Sequence, residues 1–120
     1  MLFLFIFEIK IFIDMDLTSQ QIREKIASGE NFILDCHALW CGPCKVMSPQ
    51  LDTASKIIKE SNPSVGIYKY DIDSDREFTA VLGIRSVPTI KVYKGGKEVH
   101  SQPGLMLTEQ IVNLSKSNFS

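Results

Sequence analysis

The chain has 120 residues, a length that suits one domain with one modest core. Hydrophobic residues make up 44% and charged residues 22%, the balance of a globular protein and not of a disordered or fibrous one. A formal net charge of -1, with no long basic run, gives no footing for a nucleic-acid surface.

Met1 to Phe7 is entirely apolar, and Ile9, Ile11, Phe12 and Ile13 continue it past Glu8 and Lys10. A membrane-spanning helix takes about 17 or more apolar residues, so this stretch falls short. The basic n-region and small-residue cleavage site of a secretory signal are missing. The expectation is an apolar extension over residues 1–9 that leads into a single domain over 10–117. An atypical signal or anchor within 1–13 is the alternative.

Residues 8–14 alternate as a strand does. Asp16 or Thr18 can cap a helix over about 19–28, with Ile22 and Ile26 at helical spacing and Gly29 as its stop. Asn31 to Cys36 is a short apolar strand that runs into Trp40-Cys41-Gly42-Pro43-Cys44. From Cys44 to about Glu60, Val46, Met47, Leu51, Ala54, Ile57 and Ile58 mark one helical face, which Pro49 should kink. A loop at Ser61–Ser64 precedes a strand from Val65 to Ile72. A short helix near 75–82 ends at Gly83. Thr89 to Tyr93 reads as a strand, Gly95-Gly96 as a hairpin turn, and Glu98 to Ser101 as a short edge strand. Thr108 is a candidate cap for a last helix to about Lys116. Helices between strands predict parallel crossovers, with the terminal hairpin adding an antiparallel edge. The fold class is therefore α/β, a mixed sheet with helices on both faces.

The three cysteines are an odd set, and only Cys41 and Cys44 are close together. A secreted framework of several disulfides would show an even number at wider spacings. The pair lies where a strand gives way to a helix. Helix N–H groups and the helix dipole favour a thiolate there, so Cys41 is the expected exposed nucleophile, with a lowered pKa. Cys44, one turn on, is placed to attack a mixed disulfide at Cys41. Pro43 sits where a missing N–H costs nothing, and with Gly42 it shapes the loop. Two other readings stay open at this point. The pair could be half of a zinc site with Cys36, His37 or His100. It could also be a structural bridge, although so small a loop yields little stabilisation.

The run Trp-Cys-Gly-Pro-Cys-Lys after an apolar strand, together with Gly83-Ile84-Arg85-Ser86-Val87-Pro88-Thr89, resembles the thioredoxin family over roughly residues 10–117. The nearest pattern is that of a small member bearing the Trp-Cys-Gly-Pro-Cys motif. The resemblance implies the thioredoxin fold, a central mixed five-stranded sheet flanked by four helices. It implies a Cys41–Cys44 disulfide in the oxidised state, with Cys41 attacking and Cys44 resolving. Trp40 matches an aromatic residue packed beside them. Asp35 matches a buried acid that exchanges a proton with Cys44, and burial should raise its pKa. Lys69 matches a lysine that approaches that acid. Pro88 matches a cis proline facing the dithiol; on the residues alone it would be taken as trans. Trp40, Val87, Pro88 and Gly104 match a docking surface where a substrate strand can add to the backbone.

The implied function is reduction of protein disulfides, with no bound cofactor and no metal. Electrons would come from an NADPH-dependent thioredoxin reductase. The partners would be disulfide-containing clients such as peroxiredoxins or reductases, and the protein a cytoplasmic monomer. Two rival functions are an extracytoplasmic disulfide oxidase or isomerase, and a non-catalytic binding or scaffold protein on the same fold. Two positions depart from the family pattern. Cys36 and His37 stand where aromatics usually follow the buried acid. Cys36 is expected as a small buried hydrophobe. His37, which replaces a bulky tryptophan, titrates near neutral pH and is either a polar filler or a group that tunes the dithiol.

Overall fold

Thr18 opens the first helix with a reciprocal cap: its hydroxyl accepts from Gln21 N–H and the Gln21 side chain accepts from Thr18 N–H. The computed structural model describes residues 15–120. Within them lie α1 (Ser19–Ala27), β1 (Phe32–His37), α2 (Gly42–Ser61), β2 (Gly66–Asp71), α3 (Arg76–Val81), β3 (Thr89–Lys94), β4 (Lys97–Pro103) and α4 (Thr108–Phe119). The described strands form one sheet in the order β2-β1-β3-β4.

The resemblance implied five strands; the described sheet has four. The expected strand at 8–14 and the extension at 1–9 lie outside the described residues. The chain directly after them does run along the outer edge of β2. Lys69 N–H donates to the Met15 carbonyl at 2.5 Å and Leu17 N–H to the Lys69 carbonyl at 2.8 Å, in a parallel bridge.

One direction differs from the sequence reading. β1 and β2 are parallel, joined through α2 as expected. β3, however, runs antiparallel to β1. The helix between β2 and β3 is short. Six helical residues span about 9 Å, under half of a six-residue strand at roughly 20 Å. With so short a helix the chain stays at the end of the sheet where β2 leaves, and it enters β3 from there.

Strand alternation assigns the two layers. Ile33, Ile67, Ile90 and Val92 face α2 and α4, where Met47, Leu51, Ala54, Ile58 and Ile111 complete a core. Phe32, Leu34, Cys36, Tyr70 and Tyr93 face the other way, against Ile22 of α1 and Phe78 of α3. Asp35 and His37 share the parity of Ile33, so they lie on the α2 side of β1; Cys36 lies on the opposite side. Thr108 is the first residue of α4, not its cap. Its N–H and hydroxyl both donate to the Gln50 side chain, at 2.8 and 2.6 Å, which pins α4 to α2.

Candidate functional site

β1 ends at His37, and a turn closed by Cys41 N–H on the Ala38 carbonyl (3.2 Å) delivers the chain to α2. Cys41 is extended and caps the helix, its Sγ accepting from Cys44 N–H at 3.2 Å. Gly42 and Pro43 fill the first two helical positions, where Pro43 forfeits no intrahelical bond. Cys41 and Cys44 are joined as a disulfide, with their Cα atoms 5.3 Å apart. That span is ordinary for a disulfide. The sulfur of Cys41 therefore occupies the place of an N-cap acceptor, where the helix dipole favours a developing thiolate.

The expected exposure of Cys41 is not found. Cys41 is 4% exposed and Cys44 is 6% exposed. In the oxidised state each cysteine covers the other, and Ala38, Ile72 and Val87 pack around them. Trp40 also departs from expectation. It is 69% exposed and not packed, and its Nε1–H donates to Asp73 Oδ2 at 2.8 Å. It forms a rim beside the dithiol.

Behind the pair lies a cleft of about 240 Å³ lined by Asp35, Cys44, His37, Asp16, Ser48 and Lys69. Asp35 is 3% exposed, and its Oδ1 has no hydrogen-bond partner. Burial pushes its pKa up to about 6, against the smaller opposing pull of His37 and then Lys69. Lys69 is the direct sheet partner of Asp35. Its ammonium nevertheless turns to α2, donating to Ser48 Oγ at 2.8 Å and lying 3.5 Å from Asp52. It approaches Asp35, as expected, and acts on it through space without a hydrogen bond. Ser48 and Asp52 were not singled out from the sequence. Their i,i+4 spacing on α2 was the available signal.

The Val87–Pro88 peptide is cis. The Pro88 carbonyl accepts from Gly104 N–H at 2.8 Å, which ties the residue after β4 to the proline loop. Gly104 has φ +98, a conformation that L side chains rarely adopt. Val87 packs against the cysteines, and Gly104 is tied to the neighbouring Pro88. Cys36 is not part of this site. It is fully buried on the opposite face of β1, and burial pushes its thiol pKa far up.

The model of the family described as Thioredoxin matches residues 14–117. The chain belongs to the thioredoxin family. The thioredoxin of Alicyclobacillus acidocaldarius subsp. acidocaldarius is 32% identical over 97 residues, which cover 81% of this chain and 90% of that protein. The thioredoxin of Haemophilus influenzae is 37% identical over 100 residues, 83% of this chain and 87% of the relative. Among solved structures, oxidised mitochondrial thioredoxin 3 of Saccharomyces cerevisiae is 28% identical with a TM-score of 0.67, covering 87% of this chain and 92% of that one. Family and cysteine pair together make the protein a thiol–disulfide oxidoreductase that reduces protein disulfides. Thioredoxins bind no cofactor of their own, so the dithiol is the redox group, and its partners are disulfide-containing proteins. Among the described residues, no helix is long and apolar enough to cross a membrane.

Proposed function

We propose that Cys41 is the attacking cysteine and Cys44 the resolving one, with Asp35 as the proton acceptor. The Cys41 thiolate attacks one sulfur of a client disulfide, and the other client sulfur leaves as a thiolate. Cys44 passes its proton to the Asp35 carboxylate and attacks Cys41 Sγ. The Cys41–client bond breaks, the second client thiolate leaves, and two electrons have moved from the dithiol to the client. The observation that carries this reading is the asymmetry of the pair. Cys41 Sγ sits at the helix cap, whereas Cys44 borders the cleft that holds Asp35. The raised pKa of Asp35 suits a group that takes a proton and gives it back near neutral pH.

Val87, Pro88 and Gly104 form one side of the docking surface and Trp40 the other. Exposed Leu39, Val46 and Leu105 extend it with apolar area. Backbone groups at Val87 would pair with an extended client strand. Gly42 and Pro43 hold the loop, and Lys69 biases the charge of Asp35. We assign the recharging step to an NADPH-dependent thioredoxin reductase. The clients include peroxiredoxins or other reductases, the compartment is the cytoplasm, and the working domain spans residues 10–117.

Insulin-disulfide reduction tests the assignment. Cys41→Ser is expected to fall to the uncatalysed rate. Cys44→Ser is expected to accumulate a covalent client adduct at Cys41, visible on a non-reducing gel. Equal rates for the parent and Cys41→Ser would overturn it.

A further inference from the structure

The cleft behind the dithiol holds a group that the proposed steps leave unused. His37 lies two residues after Asp35 on β1, with the same strand parity, and both line that cleft with Cys44. Its Nε2 is 3.2 Å from Asp16 Oδ1. Exposure rises along this line of groups: the His37 side chain is 17% exposed and that of Asp16 is 65% exposed. Asp35, at the inner end, has a carboxylate oxygen with no partner. A proton taken by Asp35 from Cys44 must still reach bulk water, and the Lys69 ammonium, held by Ser48 and Asp52, makes no hydrogen bond to Asp35 that would carry it there.

We propose that His37 carries the proton between Asp35 and solvent, with Asp16 orienting its ring. This rests on the reading of Asp35 as the proton acceptor. With Nε2–H held on Asp16, the second ring nitrogen is the one free to accept. As Cys44 is deprotonated for the resolving attack, Asp35 takes its proton, passes it on to His37 and is left a carboxylate again. The imidazole becomes an imidazolium beside Asp16, then releases the proton to water. No electrons move in this step. His37 does not touch the reacting sulfurs and acts through Asp35, as a positioning residue does.

The surrounding charges agree. Asp16, on the segment before α1, raises the His37 pKa through its hydrogen bond, with Asp35 and Asp71 of β2 adding smaller pulls and burial opposing them. Lys69 of β2, with Asp52, Lys45 and Cys44 of α2, completes the titratable or charged groups around Asp35. Lys69 is held by Ser48 and Asp52 and contributes a charge. Only the histidine ordinarily exchanges its proton near neutral pH.

The test is rapid mixing of the reduced full chain with Ellman's reagent. The first release of coloured thiolate reports attack by Cys41, and the second reports resolution by Cys44. His37→Gln and His37→Phe are expected to slow the second phase about tenfold near neutral pH, selectively relative to the first. In His37→Ala, added imidazole is expected to restore the second phase. Pyrazole, an isosteric ring too weakly basic to take up a proton, is expected to leave it slow. Retention of the parent pH profile by His37→Gln and His37→Phe would overturn the proposal, as would equal rescue by pyrazole, which marks a space-filling role. Asp35→Asn separates the two levels. If it leaves the second phase intact, the reading of Asp35 fails and this inference with it. If Asp35→Asn is slow while the His37 variants are fast, only the inference about His37 fails.

Discussion

Asp35 is a carboxylate held where a carboxylate is costly. Its folded pKa is raised to about 6, whereas an unfolded chain returns it to the ordinary aspartate value of 3.8. Below the unfolded value the group is protonated in both states and contributes no difference. As pH rises through the window between the two values, the folded state holds the proton longer, and folding loses stability. Above the folded value the charge costs about 3 kcal/mol, the equivalent of a shift of roughly two pH units. Asp35→Asn should therefore be more stable than the parent at pH 7 by about 2–3 kcal/mol. The gap should narrow below pH 6 and vanish near pH 4, as read by urea unfolding across that range. A gap independent of pH would mean that the effect is packing. The sequence placed an acid at this position in an apolar strand, and burial was the expected result. What it left open was the company. The partnerless Oδ1, the turning of Lys69 to Ser48 and the pairing of His37 with Asp16 all depend on segments distant in sequence meeting at one cleft.

At the scale of elements, the helix starts and turns follow local chemistry. The Thr18 cap, the Asp75 side chain accepting from Phe78 N–H at 3.0 Å, and the Gly95-Gly96 turn all involve partners a few residues away. Even so, Asp75 also accepts from Ser19 Oγ at 2.7 Å, which links α3 to α1 and could not be read locally. Gly96 shows the same double duty. It has φ +83, and a Cβ there would meet the Ile26 carbonyl of α1 at 2.7 Å. Gly96→Ala should destabilise the protein by about 2 kcal/mol through the backbone conformation and the clash together. Gly95 has φ +61 but open space around it. Gly95→Ala should accordingly cost less, and thermal unfolding of the two variants checks the difference. α2 carries Pro49 in its interior, which removes the bond that would otherwise reach the Lys45 carbonyl. The helix persists because its buried face, Met47, Leu51, Ala54 and Ile58, is packed against the sheet.

The whole molecule is arranged around β1. This strand is bonded on both sides, and both of its faces are covered by a core. β4 is an edge strand whose residues are mostly exposed. Amide hydrogen exchange should be slowest in β1 and β3, at the limit set by global unfolding, and faster by orders of magnitude in β4. Uniform protection across the sheet would contradict this layering. The site inherits its rigidity from the same plan. β1 leads through a short turn into α2, and the antiparallel β3 starts directly after Pro88, so the cysteines and the proline loop lie at the same end of these two central strands.

By itself, the sequence determined the described helices and strands, the glycine turn, the dithiol and its family. Each of these is written in neighbouring residues, by periodicity, capping chemistry or a contiguous motif. Tertiary structure decided the direction of β3, because a connection long enough for either direction leaves the choice to how the strand packs in the sheet. It decided that the oxidised cysteines are both covered and that Trp40 is a rim, because exposure depends on what packs alongside. It also brought Asp16, His37, Asp35 and Lys69 to one cleft, since strand pairing, and not spacing along the chain, sets which charges share a low-dielectric space.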